Sequence, residues 1–254
     1  MLILAIDSSG RNGSLALARY TPAVAHGVSI DAAQMEIVEF ALLQGGEYSA
    51  RLIPTLAEAV EKHKLAKQDI DLYVVASGPG SFTGLRVGLS TVKAMADALG
   101  KPIAAVSVLE AVAIASRNRL QENKGRVIAA LDAQRGEVFA GEYTISDEFG
   151  PFPVRTEQES LSTVDDFCTW LSARVPVPVT FTPEAALVER IRKAGSPAEE
   201  LPRPAADLYA RAGLMKFAAG QTITAAALDA NYIRRADAQM LSSAQAVSSR
   251  PGTK

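Results

Sequence analysis

The chain has 254 residues and is 48% apolar, enough for a sizeable core in one or two domains and too apolar for a disordered chain. Its 26 Lys and Arg against 28 Asp and Glu leave a formal net charge of −2, so no basic excess marks a self-sufficient nucleic-acid binder, although a partner could supply a basic surface. The single cysteine, Cys168, excludes an internal disulfide and a multi-cysteine metal site and reads as a small core residue in a reducing compartment. The apolar run at residues 1–6 lacks a basic leader and stops at Asp7, and no stretch approaches a membrane span; the expected location is cytoplasmic, without membrane contact.

Along the chain, residues 2–6 read as a buried strand and 7–13 as a turn rich in Ser, Gly and Asn. A second strand at 14–20 pairs back as a hairpin, 21–34 is loop, and 37–43 is a third strand. Leu52, Ile53, Leu56, Ala59 and Val60 mark a helix over 48–63, with Pro54 tolerated near its start. The β-branched run 72–76 is a buried strand that breaks into Gly78-Pro79-Gly80; Thr83 then caps a helix over 84–99. A short strand follows at 103–106. These elements make a mixed sheet covered by helices.

The pattern then restarts: a helix at 109–120, a strand at 127–131 ending in Asp132, and a strand at 137–143. Both halves thus contain a strand, an acidic residue, a polar glycine-bearing turn and a second strand, a weak internal duplication. Residues 150–204 are proline-rich and irregular, with helices near 164–173 and 184–193. A helix over 205–219 carries Leu208, Ala212 and Met215 on one face, and from 236 onward the chain is a Ser-, Ala- and Gln-rich tail.

The segment from Gly78 to Ser90 is the most informative. A strand, a glycine turn and a helix N-terminus can present backbone N–H groups to an anion, or form a tight turn with no ligand. The helix after it carries two stripes, Leu85, Leu89, Val92, Ala96 and Leu99, and then Val87, Ala94, Met95 and Ala98. Two stripes with small residues at Gly88, Ala94, Ala96 and Ala98 suggest a second helix approaching from outside; full burial in a large domain is the alternative.

The string G-P-G-S-F-T-G-L-R-x-G-x-S over 78–90, with Lys93 and Gly100-Lys101-Pro102-Ile103, resembles the bacterial TsaB family. Weaker matches follow in order at 4–9, 51–54, 106–111, 131–139 and 232–235. The likeness is good over about residues 1–143 and looser beyond. It implies the two-lobed actin-like ATPase (ribonuclease H-like) α/β fold with mixed sheets covered by helices and a reduced second lobe. The boundaries expected are a first lobe at 1–106, a reduced second lobe at 107–204, a C-terminal helix and strand at 205–235 packing back on the first lobe, and a flexible tail at 236–254. The implied role is that of a non-catalytic scaffold. It would bind the catalytic subunit TsaD, work with the ATPase TsaE, and serve transfer of threonylcarbamoyl to N6 of the adenosine beside the tRNA anticodon. A homodimer of the chain alone stays open.

The residues carry little chemistry of their own. His26 and His63 belong to no metal-binding pair, whereas the catalytic paralogue of this family holds its metal with one. Tyr48-Ser49-Ala50-Arg51 stands where many TsaB chains have His-Ser-Glu-Arg. Ser81 lacks the G-x-S-x-G flanks of a hydrolase nucleophile. Gly78, Gly80 and Gly84 are spaced one residue too long for a dinucleotide fingerprint. Asp7, Ser8 and Gly10 fall where the superfold places its first phosphate loop and Asp132 where it places the second, so the pair could hold Mg²⁺ through waters, or each could simply bond its own turn. The second loop, Ala133-Gln134-Arg135-Gly136, lacks a glycine run, and no adenosine motif appears over 175–200. The expectation is no cofactor of its own, with ATP, ADP or Mg²⁺ confined to the partner interface. The expected partner surface is Leu52, Leu56, Leu85, Leu89 and Val92 with Arg86 at its rim, and Gly78, Pro79, Gly80 and Gly84 form a structural turn. Arg234 and Arg235, beside Tyr232, are the only compact basic pair with an aromatic neighbour and read as a solvated or interface cluster. An independent small-molecule kinase of the same superfold is the competing reading.

Overall fold

A computed structural model describes residues 1–22, 34–146 and 153–233. The expected loop at 21–34 lies largely outside these residues, and Arg234, Arg235 and the tail from 236 wholly so.

The first sheet is a meander extended by two parallel strands. β1 (Leu2–Asp7), β2 (Asn12–Tyr20) and β3 (Met35–Gln44) run antiparallel; β4 (Ile70–Gly78) and β5 (Ile103–Ser107) add parallel to β1, giving the order β3-β2-β1-β4-β5. β1 is apolar without alternation because both its faces are covered. Ile3 and Ala5 point to one side, Leu4 and Ile6 to the other, and all four are fully buried. Helices α1 (Tyr48–Lys62) and α2 (Phe82–Leu99) cover the Leu4 and Ile6 side. Ser81, not Thr83, caps α2, its hydroxyl accepting from the Gly84 N–H at 3.3 Å, so the helix starts two residues earlier than the sequence reading placed it.

α3 (Val108–Ser116) is capped by Ser107 and ends before the expected residue 120. A second sheet follows, with β6 (Gly125–Gln134), β7 (Glu137–Ile145), β8 (Val154–Arg155), β9 (Ser160–Thr163), β10 (Val179–Thr182) and β11 (Ala198–Glu200). β6 and β7 form the hairpin, β8 and β9 pair on β7, and β10 and β11 add parallel to β6. The order of the first sheet is thereby repeated, with shorter strands on either side of the central hairpin. Residues 153–204 are therefore less irregular than their prolines suggest. Strands of two to four residues are too short to show alternation, and α4 (Val164–Ser172) and α5 (Ala185–Lys193) separate them.

The chain packs in five layers. α1 and α2 lie outside the first sheet, α4 and α5 outside the second, where Ile128 and Val138 meet Phe167, Leu171 and Ile191. Between the sheets lie α3 and α6 (Ala206–Ala218), so Ile3, Val74, Leu109, Tyr209, Val127 and Phe181 share one core. This is the mixed α/β, two-sheet architecture expected. Beyond α6, residues 221–233 form no strand; Ile223 makes a single bridge to Ile103 at the edge of the first sheet.

α6 reaches the first sheet closely because Gly213 presents no side chain to β4: a Cβ there would sit 2.2 Å from Val74 Cγ2. Gly213→Ala is expected to lower the unfolding free energy by about 1–3 kcal/mol through overpacking. Urea denaturation should show a lower midpoint at unchanged slope. A variant of parental stability would show that α6 can lift off β4 freely.

Candidate functional site

The carboxyl ends of β1, β4, β6 and β10 converge on a cleft of about 1030 Å³ between the two sheets. Its walls include Ser9, Gly10, the Gly80–Leu85 segment, Asp132, Glu184 and Arg203. Of the four candidate phosphate-loop residues, Gly10 and Asp132 line the cleft while Asp7 and Ser8 are buried behind its wall, and the side chains of Asp7, Ser8 and Asp132 are hydrogen-bonded within the chain.

Asp7 is 2% exposed, and its Oδ1 accepts the Ser9 N–H at 2.8 Å and the Ser9 hydroxyl at 2.6 Å. Burial pushes its carboxyl above the usual 3.8, outweighing the Ser9 hydrogen bond and the Arg203 charge. The Ser8 hydroxyl donates to Gly84 O at 2.8 Å. Asp132 bonds its own turn: Oδ1 accepts the Gln134 N–H at 2.8 Å and Oδ2 the Gln134 side-chain amide at 2.9 Å. Gln134 and Arg135 both adopt left-handed φ, at 62° and 56°, which makes a tight hairpin turn. Among the described residues no group of three or more His, Cys, Asp or Glu side chains converges on a metal position.

Two residues that sequence reasoning did not single out complete the cleft. Glu184 accepts from Thr182 Oγ1 at 2.6 Å and from the Asp132 N–H at 3.4 Å, and burial raises its pKa. Arg203 donates to Glu184 Oε1 and to Ser9 Oγ, each at 3.4 Å, while its buried Nε has no hydrogen-bond partner among the described residues. Nothing local marks Arg203, because its partners lie 19 and 194 residues away.

The glycines of the motif have distinct tasks. Gly78 has φ +110°, which favours glycine. Gly80 does not have positive φ; a Cβ there would sit 2.3 Å from Ser9 O. At Gly84 the same atom would be 2.1 Å from Ser8 O, and at Gly88 2.3 Å from Ser8 Oγ. Glycines at every fourth position therefore lay α2 flush on the turn after β1. This corrects the reading of Gly88 as a surface for an outside helix. Tyr48 is explained as well: 6% exposed, it donates to Gly10 O at 2.8 Å and fills the space beside Gly13 and Gly84.

The expected partner surface needs a larger correction. Leu52, Leu56, Leu85, Leu89 and Val92 are all buried and pack on the first sheet, so none is free to meet another molecule. Their stripe is the inner face of an amphipathic helix pair. Arg86 is exposed; its guanidinium lies 3.8 Å from the Phe82 ring centroid and donates to Tyr232 Oη at 3.4 Å.

A family model, TsaD: tRNA N6-adenosine threonylcarbamoyltransferase, matches residues 44–247. The chain belongs to the TsaD family. Within that family it is similar to proteins named for tRNA threonylcarbamoyladenosine biosynthesis, TsaB. The Bacillus subtilis (strain 168) TsaB is 34% identical over 143 residues, 56% of this chain and 55% of the relative. The Escherichia coli (strain K12) TsaB is 32% identical over 97 residues, 38% of this chain and 41% of the relative. The chain spans about half the length of the curated relatives it matches. YeaZ from Pseudomonas aeruginosa shares the fold, with a TM-score of 0.67 at 22% identity over 91% of this chain and 99% of that one. The resemblance carried by Gly78–Ser90 is thereby borne out.

For Asp7 the linkage has a definite sign. An acid whose folded pKa is raised contributes stability below its unfolded value, and that contribution is lost as pH rises through the folded value. Asp7→Asn keeps an oxygen for Ser9 and removes the buried charge. It is expected to be at least as stable as the parent at pH 7 and to have a flatter stability profile above pH 3.8. Thermal unfolding across pH checks this; a less stable variant at pH 7 would show that the charged carboxylate stabilises the turn.

Proposed function

We propose that this chain is the scaffold subunit of a tRNA threonylcarbamoyladenosine-forming complex, that it binds the catalytic subunit TsaD, and that it performs no chemistry itself. The observation that carries the reading is the TsaD-family match over residues 44–247, joined to likeness to the TsaB relatives. The non-catalytic part is supported by the cleft, where Asp7 is buried on Ser9 and Asp132 is bonded to Gln134. In this reading TsaE joins the assembly through the pair, and tRNA is met by the complex as a whole, since a formal charge of −2 gives this chain little phosphate affinity of its own.

The partner face we propose is the outer side of α1 and α2. Ile53 is 51% exposed there, Ala57, Ala94 and Ala98 are exposed, and Val87 and Met95 are half-buried. Small residues flanked by larger apolar ones allow a close helix–helix approach, and Arg86 with Phe82 and Tyr232 forms a polar and aromatic rim.

The cell's own TsaD is expected to modify tRNA only when this chain is added, and the isolated chain is expected to show no turnover of threonylcarbamoyl-adenylate, peptide or ATP. Modification at full rate by TsaD alone would refute the scaffold role. Ile53→Asp and Ala94→Asp should each weaken TsaD capture by about tenfold or more with little change in thermal stability. Leu89→Asp, on the inner face, should instead prevent folding. Unchanged capture by both outer-face variants would place the contact elsewhere.

A further inference from the structure

The Ser9–Gly10 turn is a junction for elements far apart in sequence. Ser9 O accepts from the Ser81 N–H, the α2 cap residue, at 2.7 Å. Gly10 O accepts from Tyr48 Oη, the first residue of α1, at 2.8 Å. The outer wall of the turn is Arg203: a Cβ at Gly10 would lie 2.6 Å from its Nε, and its Nη2 donates to Ser9 Oγ. Arg203 is in turn held by Glu184, which is fixed by Thr182 at the end of β10 and by the Asp132 N–H at the end of β6. A continuous series of polar contacts thus runs from the second sheet, across the cleft, to the starts of both helices that lie outside the first sheet.

We propose that Arg203 is a positioning residue through which the second sheet sets the placement of α1 and α2, and hence the partner face. The inference rests on the partner face proposed above. Its geometry suits the task. A guanidinium offers a rigid fork that can hold a carboxylate on one side and a hydroxyl on the other. The turn it presses on has no slack, since Gly80, Gly84 and Gly88 leave α2 no side chain to yield. A shift of Ser9 is therefore passed to Ser81 and to Tyr48. The second lobe is retained, on this account, as a brace for the first.

Amide hydrogen exchange of the full chain tests this, read at Ser81 and at Arg51, whose N–H bonds Glu47 O in the first turn of α1. Arg203→Ala should raise exchange at these amides by about tenfold, with core amides of β6 and α6 unchanged. Glu184→Gln, which keeps the fold should Arg203→Ala not, should act at the same amides more weakly. Capture of TsaD by Arg203→Ala should fall in parallel. Parental exchange at Ser81 and Arg51 in both variants would overturn the proposal, as would uniform acceleration throughout the chain. Failure of the parent to capture TsaD would refute the partner reading, and the exchange pattern alone would then decide the role of Arg203.

Discussion

The contact on which most of this structure depends is that of α2 lying without clearance on the Ser8–Ser9 turn. Backbone meets backbone there, because Gly80 and Gly84 each leave less than the diameter of one carbon atom above a carbonyl oxygen. Such contacts are unforgiving: a carbonyl cannot rotate away as a side chain can. The rest of the first sheet is arranged around it. Ser8 Oγ and Ser9 O tie the helix to the turn, Tyr48 ties α1 to the same turn, and Asp7 is buried beneath both.

The polar groups around that contact are hydrogen-bonded to one another. A loop that is to cradle a phosphate must keep its N–H groups and carboxylates free. Here the Ser9 N–H is turned inward to Asp7, and the second loop has tightened into a hairpin stabilised by Asp132. Arg203 supplies a positive charge from within the chain at the point where the two lobes face each other. The polar groups of the cleft serve each other.

Much of this was legible in the sequence and some was not. The strands of the first sheet, the helices and the restart of the pattern at residue 109 follow from periodicity, and the motif at Gly78–Ser90 carried the family. What failed was orientation. Leu85, Leu89 and Val92 form an apolar stripe whichever way the helix faces, and periodicity cannot say whether a stripe meets the chain's own sheet or another molecule. Glu184 and Arg203 were invisible for a different reason. Their importance comes from a fold that brings residues from both halves together, and neither sits in a local pattern. Strands β8 to β11 were missed because two to four residues between prolines carry no period.

The shared middle layer has a consequence for how the molecule can be divided. Two sheets with the same strand order invite the idea of two modules, each able to stand alone. Yet α6 follows the second sheet in the chain and buries Ile3 and Val74 of the first, while α3 lies against both. A segment ending after β5 would leave the inner face of its sheet bare, and one beginning at β6 would carry a helix whose seat is missing. Topology here repeats itself, but cohesion does not: the chain crosses from one half to the other and back, and the halves share one core.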